Sequence, residues 1–134
     1  MKIQTLDHIA IISADPDRSV KWYTEVLGLE HAFSEEWNGV PKFVVTKENS
    51  TGIAIFPAQT DDPKGSPDGD YLIVDHFAFR VSGEDFINAQ KELKDKGIEI
   101  RIADHKVAKS IYMHDPDGHE VELTTYEIKK TNDV

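Results

Sequence analysis

Short apolar stretches of strand length alternate with two amphipathic stretches of helical spacing along the chain. Residues 5–12 and 73–81 alternate or run apolar over the length of a strand. Shorter strands are predicted at 31–37, 42–48 and 52–57, and again at 98–103, 109–114 and 119–126. The pattern therefore predicts the order β-α-β-β-β twice, which is an α+β fold.

Each of the two predicted helices has recognisable start and stop residues. Asp15 fits an N-cap followed by proline in the first helical position, and Gly28 is a stop after Leu27. Ser82 opens the second helix in a capping-box-like context, and Gly97 ends it.

The two halves also repeat at the level of individual residues. The run from Asp7 to Ile11 returns from Asp75 to Phe79, an offset of 68 residues. The helix-ending glycines lie 69 residues apart, and Gly52 and Gly118, which open the last strand of each half, lie 66 apart. Two copies of one supersecondary module explain a period too long for a solenoid repeat.

Alternation along the strands predicts which side chains share a face. His8 and His76 point away from the large apolar residues that pack beneath the helices, each beside a small alanine. Glu122 and Glu120 share a face on the last strand. The two histidines occupy equivalent positions, so a pseudo-two-fold axis would bring them together. Two imidazoles and one carboxylate suit a divalent first-row metal with open coordination positions.

Composition and charge limit which classes of partner the chain can bind, and the order of the predicted elements indicates its domain organisation. The chain has 134 residues, no cysteine and a formal net charge of −10. No basic stripe is visible, which argues against a nucleic-acid partner. No apolar run approaches the ~20 residues that span a bilayer, so we expect no membrane partner and a cytoplasmic location. We expect one domain over 1–128, with module one at about 3–57, a polar linker at 58–71, module two at about 72–128 and a frayed tail at 129–134.

These segments resemble the glyoxalase, bleomycin-resistance and extradiol-dioxygenase superfamily, also called vicinal oxygen chelate. The most specific resemblance runs from Tyr112 to Leu123, and weaker ones lie around His8, around Trp22 to Leu29 and around His76. The resemblance implies paired βαβββ modules that form a curved, cup-shaped mixed sheet with the helices on its outer face. It also implies metal binding by His8, His76 and Glu122.

The resemblance implies a reaction class, and the chemistry of nearby side chains suggests which residues support it. The candidate metals are iron, manganese, nickel, cobalt and zinc. The metal would act as a Lewis acid on a small oxygen-chelating substrate. The reaction would be of the lyase, isomerase, thiol-transferase or dioxygenase type. Tyr112 is the candidate proton or hydrogen-bond donor and Glu120 the candidate base. Candidate substrate contacts are Arg80, Ser110 and Trp37. Many relatives are homodimers, which we expect here, and in several subfamilies one site draws ligands from both subunits.

No single subfamily fits completely. Glyoxalase I enzymes use a fourth ligand from the last strand of module one, and matching Gly52 to Gly118 places Phe56 opposite Glu122. Typical extradiol dioxygenases carry four modules. Fosfomycin-resistance transferases place a hydroxyl residue where this chain has Ala10, and their basic phosphonate clamp has only Arg101, Lys106 and Lys109 as counterparts. The alternatives are a bleomycin-resistance-like protein that sequesters a ligand, and an accessory domain that binds metal without turnover.

Overall fold

The computed structural model describes residues 1–37, 39–48 and 51–131. These residues fall into two compact units, Met1–Gly65 and Ser66–Val134. Each unit holds one four-stranded mixed sheet and one α-helix in the order β-α-β-β-β. The predicted α+β fold of two βαβββ modules is therefore confirmed, and their closure into a cup stays a prediction.

The first unit has the strand order β1-β4-β3-β2. Strand β1 runs parallel to β4, and the other neighbours are antiparallel. The elements are β1 (His8–Ser13), α1 (Pro16–Leu27), β2 (Glu30–Ala32), β3 (Lys42–Val45) and β4 (Gly52–Pro57).

The second unit has the same topology, with the order β5-β8-β7-β6 and a parallel β5–β8 pair. The elements are β5 (Phe77–Arg80), α2 (Gly83–Asp95), β6 (Arg101–Asp104), β7 (Lys109–His114), β8 (Glu120–Thr125) and a short 3₁₀ helix (Ile128–Thr131). The start of the predicted tail thus carries regular structure instead of fraying, and residues 132–134 lie outside the described residues.

Both helices begin and end where the capping residues predict. The Asp15 side chain accepts a hydrogen bond from the Arg18 backbone N–H, and Gly28 ends α1 with a φ of 71°. The Ser82 hydroxyl caps α2 in the same way. No helix within the described ranges is long and apolar enough to cross a bilayer.

The helices cover the predicted apolar face of each sheet. The hydroxyls of Ser13 in β1 and Ser19 in α1 lie 2.6 Å apart and are fully buried, which joins the helix to the face opposite His8. Tyr23 of α1 and Phe86 of α2 are buried in the same layer of their units. His8, and by the same alternation Glu122, therefore lie on the helix-free faces.

Several strands are shorter than predicted. Strand β2 ends at Ala32 instead of residue 37 because Phe33 adopts a left-handed φ of 58°, and the Trp37 N–H then closes a turn onto the Phe33 carbonyl at 2.9 Å. Strand β5 starts at Phe77, and strand β6 starts only at Arg101. Strands β4 and β7 match their predicted bounds.

The predicted match between the last strands of the modules is wrong by two residues. Ala10 of β1 pairs with Ala54 of β4, and the equivalent Ala78 of β5 pairs with Glu122 of β8. Ala54, and not Phe56, is therefore the counterpart of Glu122. Ala54 and Glu122 are 68 residues apart, the same offset as His8 and His76. Matching the two glycines gave a different offset because Gly52 is the first residue of β4, whereas Gly118 lies in the turn before β8. Alanine cannot bind a metal either, so module one still offers no fourth ligand at this position.

Candidate metal centre

His76 and Glu122 come together on the helix-free face of the second unit. Glu122 lies in the middle of β8 and is only 8% exposed, while His76 precedes β5, which pairs with β8. The Nε2 atom of His76 lies 2.9 Å from Oε2 of Glu122. Ligand atoms about 2.0–2.2 Å from one metal ion are commonly about 3 Å apart. The two side chains therefore already have the spacing of two ligands of one ion.

Both candidate histidines have the same carboxylate partner. Nδ1 of His8 donates to Oδ2 of Asp7, and Nδ1 of His76 donates to Oδ2 of Asp75, each at 2.7 Å. Such a carboxylate fixes the ring and leaves Nε2 as the ligand atom, as in many histidine–metal sites. Sequence reasoning missed Asp7 and Asp75 as functional residues, although the repeated Asp-His pair was the available signal.

Ser110 and Tyr112 surround the same carboxylate from strand β7. The buried Ser110 hydroxyl donates to Oε1 of Glu122 at 2.5 Å and lies 3.1 Å from the Thr124 hydroxyl. The Tyr112 ring stands edge-on to His76 with the ring centroids 5.7 Å apart. Ser110 therefore donates its hydrogen bond to Oε1 of Glu122, whereas Oε2 faces His76. This leaves Oε2 as the oxygen that could bind a cation.

The pKa values of two groups next to Glu122, His76 and Tyr112, are raised. The hydrogen bond to Asp75 raises the pKa of His76 above 6.5, burial opposes it, and the Glu122 charge adds to the rise. Burial, followed by the negative charge of Glu122, raises the pKa of Tyr112 above 10. Tyr112 thus keeps its proton at neutral pH and is available as a donor.

Glu120 lines a neighbouring cavity of about 530 Å³ in the second unit. It lies 3.8 Å from the Arg101 guanidinium and 3.9 Å from His114 Nε2. Arg101 stacks on Tyr112, with its guanidinium carbon 4.2 Å from the ring centroid. Arg80, the candidate substrate contact, stacks on Tyr126 with its guanidinium carbon 4.6 Å from the ring centroid, and its role in binding substrate stays a prediction.

His8 and Trp37 lie in the first unit, where one aromatic ring connects them. The His8 ring stands edge-on to Phe43 with centroids 5.6 Å apart, and Trp37 packs edge-on against the same Phe43 at 5.5 Å. The His8 side chain is 45% exposed. The structure thus brings together His76, Glu122, Ser110 and Tyr112 in one unit and His8 with Trp37 in the other, and a site joining them stays a prediction.

Comparison with known proteins agrees with this arrangement of elements. The profile of the Glyoxalase/Bleomycin resistance protein/Dioxygenase superfamily matches residues 5–123, nearly the whole chain. The chain belongs to this superfamily.

Two relatives by sequence and one solved structure show what this chain is similar to. A biphenyl-2,3-diol 1,2-dioxygenase from Rhodococcus globerulus is 33% identical over 120 residues, 88% of this chain but only 61% of the relative. A glutathione transferase, FosA, from Serratia marcescens is 30% identical over 122 residues, 90% of this chain and 80% of the relative. A fosfomycin resistance protein, FosX, from Listeria monocytogenes, solved with Mn(II) and 1S,2S-dihydroxypropylphosphonic acid, has a TM-score of 0.68 at 21% identity, covering 97% of this chain and 96% of that one. The last comparison shows the fold alone.

A second group of possible ligands lies in the turn between β7 and β8, where ligand atoms of Asp115, Asp117 and His119 fall within 4.8 Å of one another. Oδ1 of the buried Asp115 accepts hydrogen bonds from the backbone N–H groups of Asp117 and His119, each at 2.9 Å. This carboxylate therefore holds a tight turn together. These backbone hydrogen bonds account for the position of the Asp115 carboxylate in the group.

His105 is a further residue beside the candidate site that the sequence pattern does not single out. His105 lies in the turn between β6 and β7, and its Nε2 is 3.0 Å from the Tyr112 hydroxyl. The signal was weak because the contact depends on the pairing of β6 with β7, and nothing in the repeat singles out this histidine. His105 thus belongs to the surroundings of the candidate donor Tyr112.

Proposed function

We propose that this protein is a divalent-metal-dependent enzyme in which His8, His76 and Glu122 bind one metal ion. The ion would act on a small substrate that carries two adjacent oxygens, in a reaction of the lyase, isomerase, thiol-transferase or dioxygenase type. The observation that carries this proposal is the 2.9 Å approach of His76 Nε2 to the buried Glu122 carboxylate, beside an Asp-His pair that occurs once in each module.

The residues fit a divalent cation by their chemistry. A buried carboxylate is costly unless a positive charge or strong hydrogen bonds compensate it. Ser110 satisfies one oxygen of Glu122, and the other oxygen faces an imidazole whose Nδ1 is held by Asp75. A nitrogen-rich set with one carboxylate leaves iron(II), manganese, nickel, cobalt and zinc as candidates. Glu122 and His76 supply two of the three proposed ligands, and His8 supplies the third.

The bound metal would supply Lewis-acid stabilisation of negative charge that develops on a substrate oxygen. The other steps belong to side chains of this chain. Tyr112, protonated at neutral pH, donates a hydrogen bond to that oxygen. Glu120, on the same face two residues from Glu122, accepts a proton from the substrate. Ser110 is a positioning residue that holds the Glu122 carboxylate.

The relatives support this reaction class without choosing among its members. The names of two relatives describe a dioxygenase and a glutathione transferase, and the structure of FosX, which is similar in fold, contains Mn(II). A small-molecule substrate is therefore part of the proposal.

Metal content tests the proposal. Protein purified without chelators should hold close to one divalent ion per chain by plasma mass spectrometry, and chelation followed by titration should restore it. His8→Ala, His76→Ala and Glu122→Ala should each lower the affinity on the order of 10-fold or more, since a ligand is lost. Glu120→Gln and His119→Asn are the matched controls, and they should keep the ion because neither residue is a proposed ligand.

Two results would overturn the assignment. Protein that neither holds nor takes up a divalent ion would leave the binding-only, bleomycin-resistance-like alternative. Loss of the ion in His119→Asn but not in Glu122→Ala would place the metal in the β7–β8 turn instead.

A further inference from the structure

The cavity of about 530 Å³ in the second unit is lined by groups of both charges. Its strand residues form two neighbouring pairs, because Arg101 of β6 pairs with Tyr112 of β7, and His114 of β7 pairs with Glu120 of β8. Glu99, in the turn from α2 into β6, lines the cavity as well. Two carboxylates, one guanidinium and one imidazole therefore surround one space.

The charged groups of the cavity lie close together without being hydrogen-bonded to one another. Oε1 of Glu120 is 3.8 Å from Nη2 of Arg101, and Oε2 is 3.9 Å from Nε2 of His114. Hydrogen bonds between such charged groups are normally about 2.7–2.9 Å long. No described residue accepts a hydrogen bond from the Arg101 guanidinium. The cavity therefore presents a carboxylate acceptor beside a set of N–H donors, and both can still bind a ligand.

The contact of Arg101 with an aromatic ring keeps this gap open. The guanidinium carbon lies 4.2 Å from the centroid of the Tyr112 ring. The ring is itself fixed, since it stands edge-on to His76 and its hydroxyl lies 3.0 Å from Nε2 of His105. A cation over a ring face is attracted to it, and Arg101 would weaken this attraction by moving onto Glu120. A ligand that bridges Arg101 and Glu120 leaves the stack intact.

We propose that this cavity binds an aliphatic α-amino acid in its zwitterionic form. The carboxylate of the ligand accepts hydrogen bonds from Arg101, whose planar guanidinium matches a carboxylate, and its ammonium group donates to Glu120. Opposite charges thus lie side by side in the ligand as they do in the cavity. Ile98 and Ile100 complete the lining and carry no charge, which favours an apolar side chain on the ligand.

This inference goes beyond the proposed function and does not depend on a bound metal. All the groups that would contact the amino acid belong to the second unit. The cavity nevertheless borders the candidate metal centre, because Tyr112 lies beside His76 and Glu120 precedes Glu122 by two residues. A bound amino acid would therefore contact the same Glu120 carboxylate that the proposed function uses as a proton acceptor.

Three matched ligands test the requirement for both charges. L-leucine carries both, isocaproate lacks the ammonium group, and isopentylamine lacks the carboxylate. Binding at neutral pH can be followed by two-dimensional amide NMR of isotope-labelled protein. L-leucine should bind about fivefold or more tightly than either analogue, since each analogue loses one charge-assisted contact in a partly exposed cavity. The amide signals that shift should include those of residues 97–101.

Two variants assign each charge of the ligand to its partner. Arg101→Gln should remove the advantage of L-leucine over isopentylamine, because only the carboxylate contact is lost. Glu120→Gln should remove the advantage of L-leucine over isocaproate, because only the ammonium contact is lost. Arg18→Gln in α1 and Glu92→Gln in α2 are the matched controls. They remove the same charges from exposed residues that do not line the cavity, and they should leave both preferences unchanged.

A comparison of metal-loaded and chelator-treated protein separates this cavity from the metal. Amino acids can themselves bind a divalent ion through nitrogen and oxygen, so L-leucine that binds only the metal-loaded protein would overturn the inference. Equal affinity for L-leucine and one analogue would overturn it too, and so would preferences that survive Arg101→Gln and Glu120→Gln. Selective binding that persists in protein unable to take up metal would support the cavity while the proposed function fails.

Discussion

Glu122 is buried between a hydroxyl on one side and an imidazole on the other, and the charge of its carboxylate helps to raise the pKa of His76. In the metal-free protein a proton on His76 is the nearest positive charge to the Glu122 carboxylate, at 2.9 Å. A metal ion and this proton would compete for the same place, because both bind at Nε2. Without the metal, the stability of the protein should therefore depend on pH through the protonation of His76.

The raised pKa of His76 predicts how the stability of the metal-free protein changes with pH. Folding favours the protonated imidazole, so the contribution is fully present below about pH 6.5 and is lost as pH rises through the higher pKa of the folded protein. Chelator-treated wild type should lose more stability between pH 6 and pH 9 than His76→Gln does. Urea midpoints measured across this range test the difference.

The variant Asp75→Asn provides the control for this titration. The hydrogen bond from His76 to Asp75 is the largest cause of the raised pKa, so Asp75→Asn should shrink the pH-dependent difference while the histidine remains. Parallel midpoint curves for wild type, His76→Gln and Asp75→Asn would contradict the assigned pKa direction.

At this scale the sequence predicts some residues of the site and misses others for a clear reason. His76 and Glu122 were predicted because they occupy repeated or parity-matched strand positions, and the structure brings them together. Arg101 and His105 reach Tyr112 through the pairing of β6 with β7. These contacts join residues eleven and seven positions apart, so no local pattern reveals them. Local repeats therefore identify candidate ligands more readily than the residues that surround them.

At the scale of the elements, Gly52 is the tightest point of the first sheet. A Cβ at this position would collide with the Val44 carbonyl oxygen and approach Val45 Cγ1 to 2.9 Å and Phe43 Cζ to 3.0 Å. Because the first of these atoms is backbone, it cannot rotate away. Close packing therefore requires glycine at position 52. Its φ lies outside the left-handed region that favours glycine.

The substitution Gly52→Ala should destabilise the protein by about 1–3 kcal/mol, as overpacking usually does. Urea unfolding measures the loss. Gly65→Ala is the matched control, since a methyl group there would meet no atom within 4 Å and should change the free energy of unfolding by less than about 0.5 kcal/mol. Equal effects of the two substitutions would show that the collision at Gly52 is relieved.

The elements also show where sequence patterns are reliable. Both helices were predicted to within a few residues because Asp15, Ser82 and the stop glycines act locally through backbone capping. Strand β2 was predicted too long because the positive φ of Phe33 has no signature in an apolar side chain. The counterpart of Glu122 was misassigned to Phe56 because Gly52 and Gly118 look alike but serve different purposes, one in close packing and one in a turn with a φ of 90°.

At the scale of the whole molecule, both units expose several large apolar side chains. In each unit the segment that leads into the histidine-bearing strand is apolar and exposed, and the side chains concerned are Met1, Ile3 and Leu6 before β1 and Tyr71, Leu72, Ile73 and Val74 before β5. Strands β1 and β5 are also the end strands of their sheets. Consecutive exposed apolar residues beside an open strand edge are typical of protein–protein interfaces.

We therefore expect a homodimer in solution that covers the segment from Tyr71 to Val74. Light scattering coupled to size-exclusion chromatography should give about twice the chain mass of 15.1 kDa. Leu72→Glu places a charge within this segment and should shift the population toward the monomer, because burying an unpaired charge is costly. Val107→Glu is the matched control, since Val107 is an exposed but isolated apolar residue in the β6–β7 turn. A monomeric wild type, or equal dissociation by the two variants, would contradict this assignment.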